Sequence, residues 1–247
     1  MRKMMKSAIA CVVAALFAVA GTSAARAADP IPLPPPGASP LVVGGERADL
    51  TRWAVQLVFV QGQGQFGCTG EAISESWVLT AKHCVAGISS MLVFYSNSTT
   101  NPGTPVAADR VYGSPSGDVG LVHLSASHSL RSYPDLTNSY EPGFEDSGTI
   151  MGYGLRADKQ GAKGLYEAEV SVTNASADGY GGPAIHVTGV TGAANHGDSG
   201  GPLIVGGEIV GVCSTGDLAD PGADVHAGSN YANLSVSRDW IHSTSGV

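Results

Sequence analysis

Charged side chains are scarce in this sequence. Asp, Glu, Lys and Arg together supply 14% of its 247 residues and aromatic side chains 6%, whereas 34 residues are glycine. A helical bundle and a disordered chain both fit this composition poorly. A β protein rich in turns fits it better, and the length allows one larger domain or two small ones.

Cysteine is also rare, with only Cys11, Cys68, Cys84 and Cys213 in the whole chain. The sequence contains no CxxC pair and no cluster of histidine and cysteine, so a structural zinc site is not expected. We predict neither a bound metal nor a cofactor.

Long apolar runs are missing except near the N-terminus. There, residues 8–20 follow three basic residues and precede a stretch of small residues that ends at Ala27. This pattern predicts a secretory signal peptide over residues 1–27. A membrane anchor is the alternative, but the run is short and no comparable stretch follows it. We therefore expect a secreted, extracellular protein that is free of the membrane after signal cleavage.

Basic residues are few once this segment is removed. Residues 28–247 contain 9 Lys and Arg against 21 Asp and Glu, a formal charge of −12. An exported protein this acidic is not suited to hold nucleic acid or an anionic membrane. Three cysteines remain, which allows at most one internal disulfide in an oxidising compartment.

The amino-acid composition of the chain changes at Val42. Residues 28–41, ADPIPLPPPGASPL, carry prolines that exclude a helix and cannot donate to a sheet, so we predict a linker or pro-segment. Beyond it, short valine-rich runs such as WAVQLVFV and EIVGVC are bounded by turn residues. These runs predict strands of an all-β sandwich or barrel. One short C-terminal helix is predicted, with Ser237 as its cap.

The stretch HGDSGGPL, residues 196–203, confines Ser199 among three glycines. Glycine is favoured where the backbone needs positive φ or a close approach, so the simple interpretation is a tight surface turn. A catalytic interpretation needs a base elsewhere in the chain, because a serine hydroxyl is a weak nucleophile until its proton is removed.

His83 is the best candidate base among seven histidines, because WVLTAKHCV places it at the end of an apolar strand. His196 lies too near Ser199 along the turn to act on it. Asp118, in GDVGLVHL, could orient His83 from the edge of the core, although an exposed aspartate at a strand start is the simpler alternative. Asp198 is expected to point away from the adjacent serine.

Six motifs make the chain similar to trypsin-like serine proteases of the chymotrypsin fold, in which they occur in the same order. They are VVGG (42–45), LTAKHC (79–84), DVGLVHL (118–124), GYG (152–154), GDSGGPL (197–203) and VGVCSTG (210–216). The resemblance covers nearly all of residues 42–247. It implies a peptidase domain over this range, built from two six-stranded antiparallel β-barrels with a short C-terminal helix. The short loops are more similar to those of bacterial members.

The resemblance also implies a role for each candidate residue. Ser199 would be the nucleophile that forms an acyl-enzyme, His83 the general base and then acid, and Asp118 the buried residue that orients the histidine. The N–H groups of Gly197 and Ser199 would form the oxyanion hole. The implied substrates are proteins or peptides, and we expect a monomer.

A disulfide between Cys68 and Cys84 is implied by the same resemblance, and it would brace the loop of His83. Cys213 is then left as a buried thiol. Lys82, next to the predicted base, replaces a small residue of the family. It is expected either to point to solvent or to lower the pKa of the histidine.

The VVGG motif implies activation by cleavage before Val42. In the family the new α-amino group pairs with the acid beside the nucleophile, which here is Asp198. A buried carboxylate without a partner is costly, so the uncut chain should be a poorly active zymogen. Because Leu41 precedes the cut instead of Lys or Arg, we expect activation by another protease or by the enzyme itself.

Substrate preference depends on a pocket whose floor the resemblance places at Ala193 and whose walls it places at Ser214, Thr215 and Gly216. Relatives that cleave after Lys or Arg carry aspartate at the floor, so Ala193 favours small or medium apolar side chains. A basic preference stays open through three acids of the loop GDLADPGAD, which are Asp217, Asp220 and Asp224.

Two other functions remain open. A non-catalytic binding module of the same fold would show a replaced triad residue or oxyanion glycine, and no such replacement is found. A serine esterase would carry the pattern GxSxG, which residues 197–201 satisfy, but that motif normally lies in an α/β chain. The leading hypothesis is a secreted serine endopeptidase.

Overall fold

The computed structural model of the protein describes residues 42–247. The predicted signal peptide (1–27) and pro-segment (28–41) lie outside the described residues. Three short 3₁₀ turns occupy Lys82–Cys84, Ala157–Lys159 and Leu234–Val236. The strands and the helix are β1 (Val43–Gly44), β2 (Glu46–Arg47), β3 (Ala54–Gln61), β4 (Gly64–Ala72), β5 (Trp77–Thr80), β6 (Ile88–Phe94), β7 (Val106–Gly113), β8 (Gly120–Leu124), β9 (Ser147–Gly152), β10 (Tyr166–Ala177), β11 (Pro183–Gly189), β12 (Gly192–Ala193), β13 (Pro202–Val205), β14 (Glu208–Gly216), β15 (Gly228–Asn233) and α1 (Arg238–Ser245).

The first barrel closes through the antiparallel order β3-β4-β5-β8-β7-β6. Alternation along β3 turns Val55, Leu57 and Phe59 into its core, as expected of a strand with one face buried. Met91 of the neighbouring strand β6 and Val122 of β8, across the barrel, pack in the same core. The last residue of β5, Thr80, pairs with the first residue of β8, Gly120, at one rim of the barrel. The candidate active site lies at this rim.

The second barrel contains β9, β10, β11, β15, β14 and β13. It closes because β10 pairs with both β9 and β11, and β2 adds to the outside of β10. Its core includes Ile150, Val172, Ile185, Leu203 and Tyr231. The predicted fold of two six-stranded antiparallel barrels is therefore confirmed.

A third apolar cluster joins the two barrels and the helix. Leu79 and Leu121 come from the first barrel, Ile209 and Val212 from the second, and Ile241 from α1. The predicted C-terminal helix is thus confirmed and lies across the joint. No helix within residues 42–247 has the length and apolar character that a bilayer span requires.

Ser237 precedes the helix as predicted, but its side chain does not cap it. The Ser237 hydroxyl is buried and instead hydrogen-bonds the Ser114 hydroxyl at 2.8 Å. The predicted side-chain cap is therefore wrong. A long-range polar contact has taken the hydroxyl that local sequence reasoning assigned to the helix terminus.

The cysteines have the states that the resemblance implied. Cys68 of β4 and Cys84 form a disulfide inside the first core, and Cys213 is a buried free thiol whose pKa is raised by burial. The two bonded sulfur atoms also lie close to a ring nitrogen of His83. Because both sulfurs are oxidised, this cluster offers no thiolate to a metal.

Candidate active site

His83 lies in the 3₁₀ turn Lys82–Cys84 that directly follows β5. The Cys84 N–H donates to the Ala81 carbonyl at 3.2 Å, and the disulfide ties the same residue to β4. His83 itself is 4% exposed. The turn therefore holds the imidazole in a narrow range of positions at the rim of the first barrel.

Asp118 lies just before β8 and holds the imidazole through its carboxylate. Its Oδ2 is 2.7 Å from His83 Nδ1, and its Oδ1 accepts the His83 backbone N–H at 2.9 Å. The Ser214 hydroxyl donates to Oδ2 at 2.6 Å. Asp118 is 1% exposed, so the alternative of an exposed aspartate at a strand start is wrong. A carboxylate held by these donors favours the tautomer with the proton on Nδ1 and leaves Nε2 free as a base.

A glycine sets how closely the two barrel segments approach. A Cβ atom on Gly120 would lie 2.7 Å from the Ala81 carbonyl oxygen, closer than packed side chains allow. Glycine at the first position of β8 therefore lets the strand lie against the chain that leads to His83. The short distance from Asp118 to the imidazole depends on this approach.

Ser199 comes from the second barrel, in the loop between β12 and β13. Its carbonyl oxygen accepts the Thr69 N–H at 2.9 Å and lies 3.8 Å from Cys84 Sγ. Gly200 has φ of +78°, and a Cβ atom there would lie 2.8 Å from the Ala81 nitrogen. The serine loop is therefore packed against Ala81 and Cys84, which lie two residues before and one residue after His83.

The three triad candidates thus meet in the cleft between the barrels, with His83 and Asp118 from one and Ser199 from the other. No hydrogen bond of the described residues joins the Ser199 hydroxyl to the imidazole. Such bonds are commonly long without substrate and tighten when a substrate is bound. Ser199 is partly exposed, as a nucleophile must be.

The peptide groups of the predicted oxyanion hole are oriented by their carbonyl oxygens. The His196 carbonyl accepts the Leu155 N–H at 2.6 Å, and the Asp198 carbonyl accepts a backbone N–H at 2.8 Å. In a trans peptide the next N–H points opposite to the carbonyl. The N–H groups of Gly197 and Ser199 therefore point away from these partners and donate to no other group in residues 42–247. They remain available to a substrate oxygen.

Asp198 is 2% exposed, and its carboxyl lies against Gly152 and Gly154 of the second barrel. The carboxyl accepts the Gly154 N–H at 2.7 Å and the Asn195 N–H at 2.8 Å. Burial raises its pKa to about 7. A positive charge brought to this carboxyl would therefore be strongly favoured.

The GYG motif makes room for that carboxyl. A Cβ atom on Gly152 would lie 2.9 Å from Asp198 Cγ, and one on Gly154 would overlap the same carboxyl group. The motif had no assigned role at the sequence level, because only the fold brings residues 152–154 next to Asp198.

Val42 is fully buried in the core of the second barrel. The next residue, Val43, pairs with Ala193 in the two-stranded ladder of β1 and β12. Ala194 lies in the same cluster as Val42, four residues before Asp198. A chain end created before Val42 would therefore lie inside the second barrel.

A cavity of about 250 Å³ opens beside Ser199. Ser214, Thr215 and Gly216 line it, as the resemblance implied. Ala193 does not, because its pairing with Val43 draws it into the ladder, and the neighbouring Ala194 lines the cavity instead. The predicted floor residue is thus displaced by one position. His196, on the rim, also lines the cavity.

Three acidic residues left open a preference for substrates with Lys or Arg, and each of them has a partner outside the cavity. Asp217 lies 2.9 Å from His186 Nε2, and Asp220 lies 3.3 Å from Lys159 Nζ. Asp224 accepts the His226 N–H at 2.9 Å. No acidic side chain lines the described cavity, so the cavity offers no carboxylate to pair with a Lys or Arg side chain.

Comparison with known proteins now decides the family. The family model described as Trypsin matches residues 42–241. The chain belongs to the trypsin family. Trypsin alpha of Drosophila erecta is 28% identical over 227 residues, which cover 82% of this chain and 87% of that protein. The chymotrypsin-like protease VLCTLP of Macrovipera lebetinus is also 28% identical, with 83% and 87% covered. These relatives support a serine endopeptidase. They are an insect and a snake protein, so the predicted bacterial origin gains no support.

Solved structures share the trypsin-family fold. Mouse neuropsin, a serine protease, matches with a TM-score of 0.64 and 22% identity over 81% of this chain and 98% of its own. The scabies mite inactivated protease paralogue S-I1 matches with a TM-score of 0.67 and 21% identity over the same shares. Because an inactivated paralogue has this fold, the fold alone does not decide catalysis, and the side chains of the site must.

This trypsin-family chain keeps its unusual lysine close to the site. Lys82 Nζ donates to the Ser114 carbonyl at 2.8 Å and lies 4.6 Å from the centre of the Tyr180 ring. The alternative that it simply points to solvent is therefore wrong. The contact ties the histidine turn to the hairpin between β10 and β11.

The same hairpin supplies a carboxylate that the sequence did not single out. Asp178 is 7% exposed and accepts the Asp118 N–H at 2.8 Å. No motif marks it, since the contact spans 60 residues and exists only when both barrels are closed.

Proposed function

We propose that the protein is a secreted serine endopeptidase whose catalytic residues are His83, Asp118 and Ser199. The observation that carries the proposal is the buried bond of 2.7 Å between His83 Nδ1 and Asp118 Oδ2, next to a serine loop packed on Ala81 and Cys84. Family membership supports protein or peptide substrates. The signal-peptide pattern of residues 1–27 supports secretion, and we further propose a monomer.

The chemistry follows from the arrangement. His83 Nε2 takes the proton of Ser199 Oγ as that oxygen attacks the scissile carbonyl carbon, and the resulting oxyanion accepts the N–H groups of Gly197 and Ser199. Asp118 stays ionised and stabilises the imidazolium. His83 then donates the proton to the leaving amine, and water enters by the reverse steps to hydrolyse the acyl-enzyme.

The cavity beside the nucleophile selects the residue before the scissile bond. Its lining includes Ala194, Leu218 and Pro221 but no acid, and its volume of about 250 Å³ is modest. A small or medium apolar side chain is the proposed preference. Leu41 has such a side chain, so the enzyme could cut its own chain before Val42.

Activation is proposed to create an ion pair inside the second barrel. Three observations support it: Val42 is buried, Val43 pairs with Ala193, and the buried carboxyl of Asp198 forms no salt bridge within residues 42–247. The new ammonium of Val42 would neutralise Asp198 and hold the Ser199 loop in the arrangement that presents the oxyanion hole.

Labelling tests the enzymatic proposal directly. A chain that begins at Val42 is incubated with a serine-directed phosphonate and, separately, with a mixed peptide library. We expect stoichiometric label on Ser199 and cleavage after small or medium apolar residues. Absence of label and of cleavage would leave the non-catalytic binding module as the better reading. Cleavage mainly after Lys or Arg would contradict the proposed preference alone.

The raised pKa of Asp198 predicts how the uncut chain responds to pH. Burial places this pKa at about 7, against 3.8 for the exposed group, so between these values the folded chain binds more protons than the unfolded chain. Stability of the uncut chain should therefore fall as pH rises from about 4 to about 7. At about 1.4 kcal/mol for each unit of pKa difference, the loss is about 4 kcal/mol at most.

The measurement is urea unfolding of cut and uncut chains at several pH values, both carrying Ser199→Ala to prevent self-cleavage. The cut chain should lose less stability over this window, because the Val42 ammonium compensates the carboxylate. If the free energy of unfolding changed with pH by the same amount in the two chains, Val42 would not reach Asp198.

A further inference from the structure

The hairpin between β10 and β11 has the sequence DGYGG over residues 178–182, and its fold is centred on one carboxylate. Asp178 Oδ1 accepts the N–H groups of Tyr180 at 2.8 Å and Gly182 at 2.9 Å. Its Oδ2 accepts the Asp118 N–H at 2.8 Å. One buried side chain therefore shapes the tip of the hairpin and attaches it to the backbone of the proposed triad aspartate.

We propose that Asp178 is a positioning residue for the His83–Asp118 pair. This inference rests on the proposed function, in which that pair is the base and its orienting acid. Asp178 does not touch the reacting atoms. It acts by fixing the backbone from which the Asp118 carboxylate projects.

A second link from the same hairpin reaches the Asp118 side chain. The Gly179 N–H donates to Ser214 Oγ at 2.9 Å, and the Ser214 hydroxyl donates to Asp118 Oδ2 at 2.6 Å. With its oxygen engaged by Gly179, the hydroxyl hydrogen is directed at the carboxylate. The hairpin thus holds both the backbone and the side chain of Asp118.

The packing leaves little room for the hairpin to move. A Cβ atom on Gly182 would lie 2.6 Å from the Gly117 Cα and 2.7 Å from Asp178 Oδ2. On the other side, the Tyr180 ring lies under the ammonium of Lys82, the residue before His83. A displacement of the hairpin would therefore be transmitted to both members of the pair.

Charge gives Asp178 a further effect on the histidine. The groups around it that can carry charge are Asp118, His83 and Lys82, together with the Tyr180 hydroxyl, and the salt bridges of residues 42–247 do not include Asp178. A second carboxylate behind Asp118 favours the positive charge that His83 acquires when it takes the serine proton.

Asp178→Asn tests the proposal with little change of shape. An amide nitrogen cannot accept, so at least one of the three N–H donors loses its partner. We expect kcat to fall on the order of tenfold to hundredfold, as for loss of a hydrogen bond to a charged group, with KM changed less than twofold. The acid limb of the kcat profile should move to lower pH, because the imidazolium loses a nearby negative charge.

Asp146→Asn is the matched control. Asp146 also uses its carboxylate to shape a loop, accepting the Tyr140 hydroxyl at 2.7 Å and the Gly143 N–H at 3.2 Å, but it touches no residue of the site. It should leave kcat and the pH profile unchanged. The low-field ¹H resonance of the proton between His83 and Asp118 gives a readout independent of turnover, and it should shift in Asp178→Asn only.

The outcomes separate the two proposals. An unchanged kcat in Asp178→Asn, or a lower kcat with the resonance and the acid limb unmoved, would overturn the positioning role. A wild-type chain without turnover or label would instead overturn the proposed function, while the resonance would still report on Asp178. Should Asp178→Asn not fold, Gly182→Ala asks the same question, since the added methyl pushes the hairpin off Gly117 while keeping the carboxylate. The same loss of kcat is expected, and a wild-type kcat there would contradict the proposal.

Discussion

Replacing Ser199 by alanine is expected to lower kcat for peptide hydrolysis by about 10⁶-fold, because no other hydroxyl can take its place as the nucleophile. His83→Ala should lose nearly as much, since a neutral serine hydroxyl is then left without a base. The double variant should be no worse than either single one, because residues that act as a unit lose their joint effect once. Initial rates on a peptide cleaved by the wild type, divided by the protein concentration measured by absorbance, give the values.

Ser243→Ala is the control for this experiment, because Ser243 is an exposed serine on α1, far along the chain from the cleft. Its kcat should equal that of the wild type. If Ser199→Ala kept more than about one per cent of the wild-type rate, a different nucleophile would have to be sought. Residual hydrolysis of about 10³- to 10⁴-fold over water is expected from binding and the oxyanion hole alone.

Asp198→Asn should lower kcat/KM by about 10²- to 10³-fold, a smaller loss than that of the Ser199 and His83 variants. Removing one partner of a buried ion pair costs about 3–5 kcal/mol, and each 1.4 kcal/mol shifts the population of the active arrangement tenfold. In the proposed ion pair, a neutral amide would not hold the Val42 ammonium inside the second barrel, and the Ser199 loop would lose that anchor. The comparison is made on a chain that begins at Val42.

Two further chains test the contribution of the Val42 amine while the Asp198 carboxyl is kept. Acetylation of the Val42 α-amino group removes the positive partner, and a chain of residues 28–247 with Leu41→Glu resists the proposed self-cleavage. Both should resemble Asp198→Asn, whereas Asp109→Asn, at an exposed aspartate of the first barrel, should have no effect. Full activity of the acetylated chain would rule out the ion pair while leaving the triad untouched.

Much of the site was predictable because it lies in short segments with strong local signals. The apolar strand before His83 predicted a position at a strand end, the glycines around Ser199 predicted a tight turn, and the apolar run after Asp118 allowed a position at the edge of the core. The order of six motifs then implied the two-barrel fold and the pairing of Cys68 with Cys84. The alternation of apolar and polar residues and the positions of the glycines are features of the local sequence, so they can be recognised without the tertiary structure.

The specificity pocket was predicted less well. The resemblance placed the floor at Ala193, yet Ala193 pairs with Val43 in a ladder and Ala194 lines the cavity. Counting along the chain cannot anticipate which residue of a loop another segment will bind. The same holds for Asp217 and Asp220, whose charges His186 and Lys159 take up outside the cavity.

The ordered motifs were enough to identify the family and, through the resemblance, the barrel architecture and the candidate triad, because each motif is a short local segment. The contact of Gly154 with the Asp198 carboxyl, 44 residues apart, and that of Asp178 with Asp118, 60 residues apart, became visible only in the folded protein. Such contacts form when the barrels close and bring distant loops to one cleft. Their energy lies in hydrogen bonds and packing between segments that carry no mark of each other in the sequence.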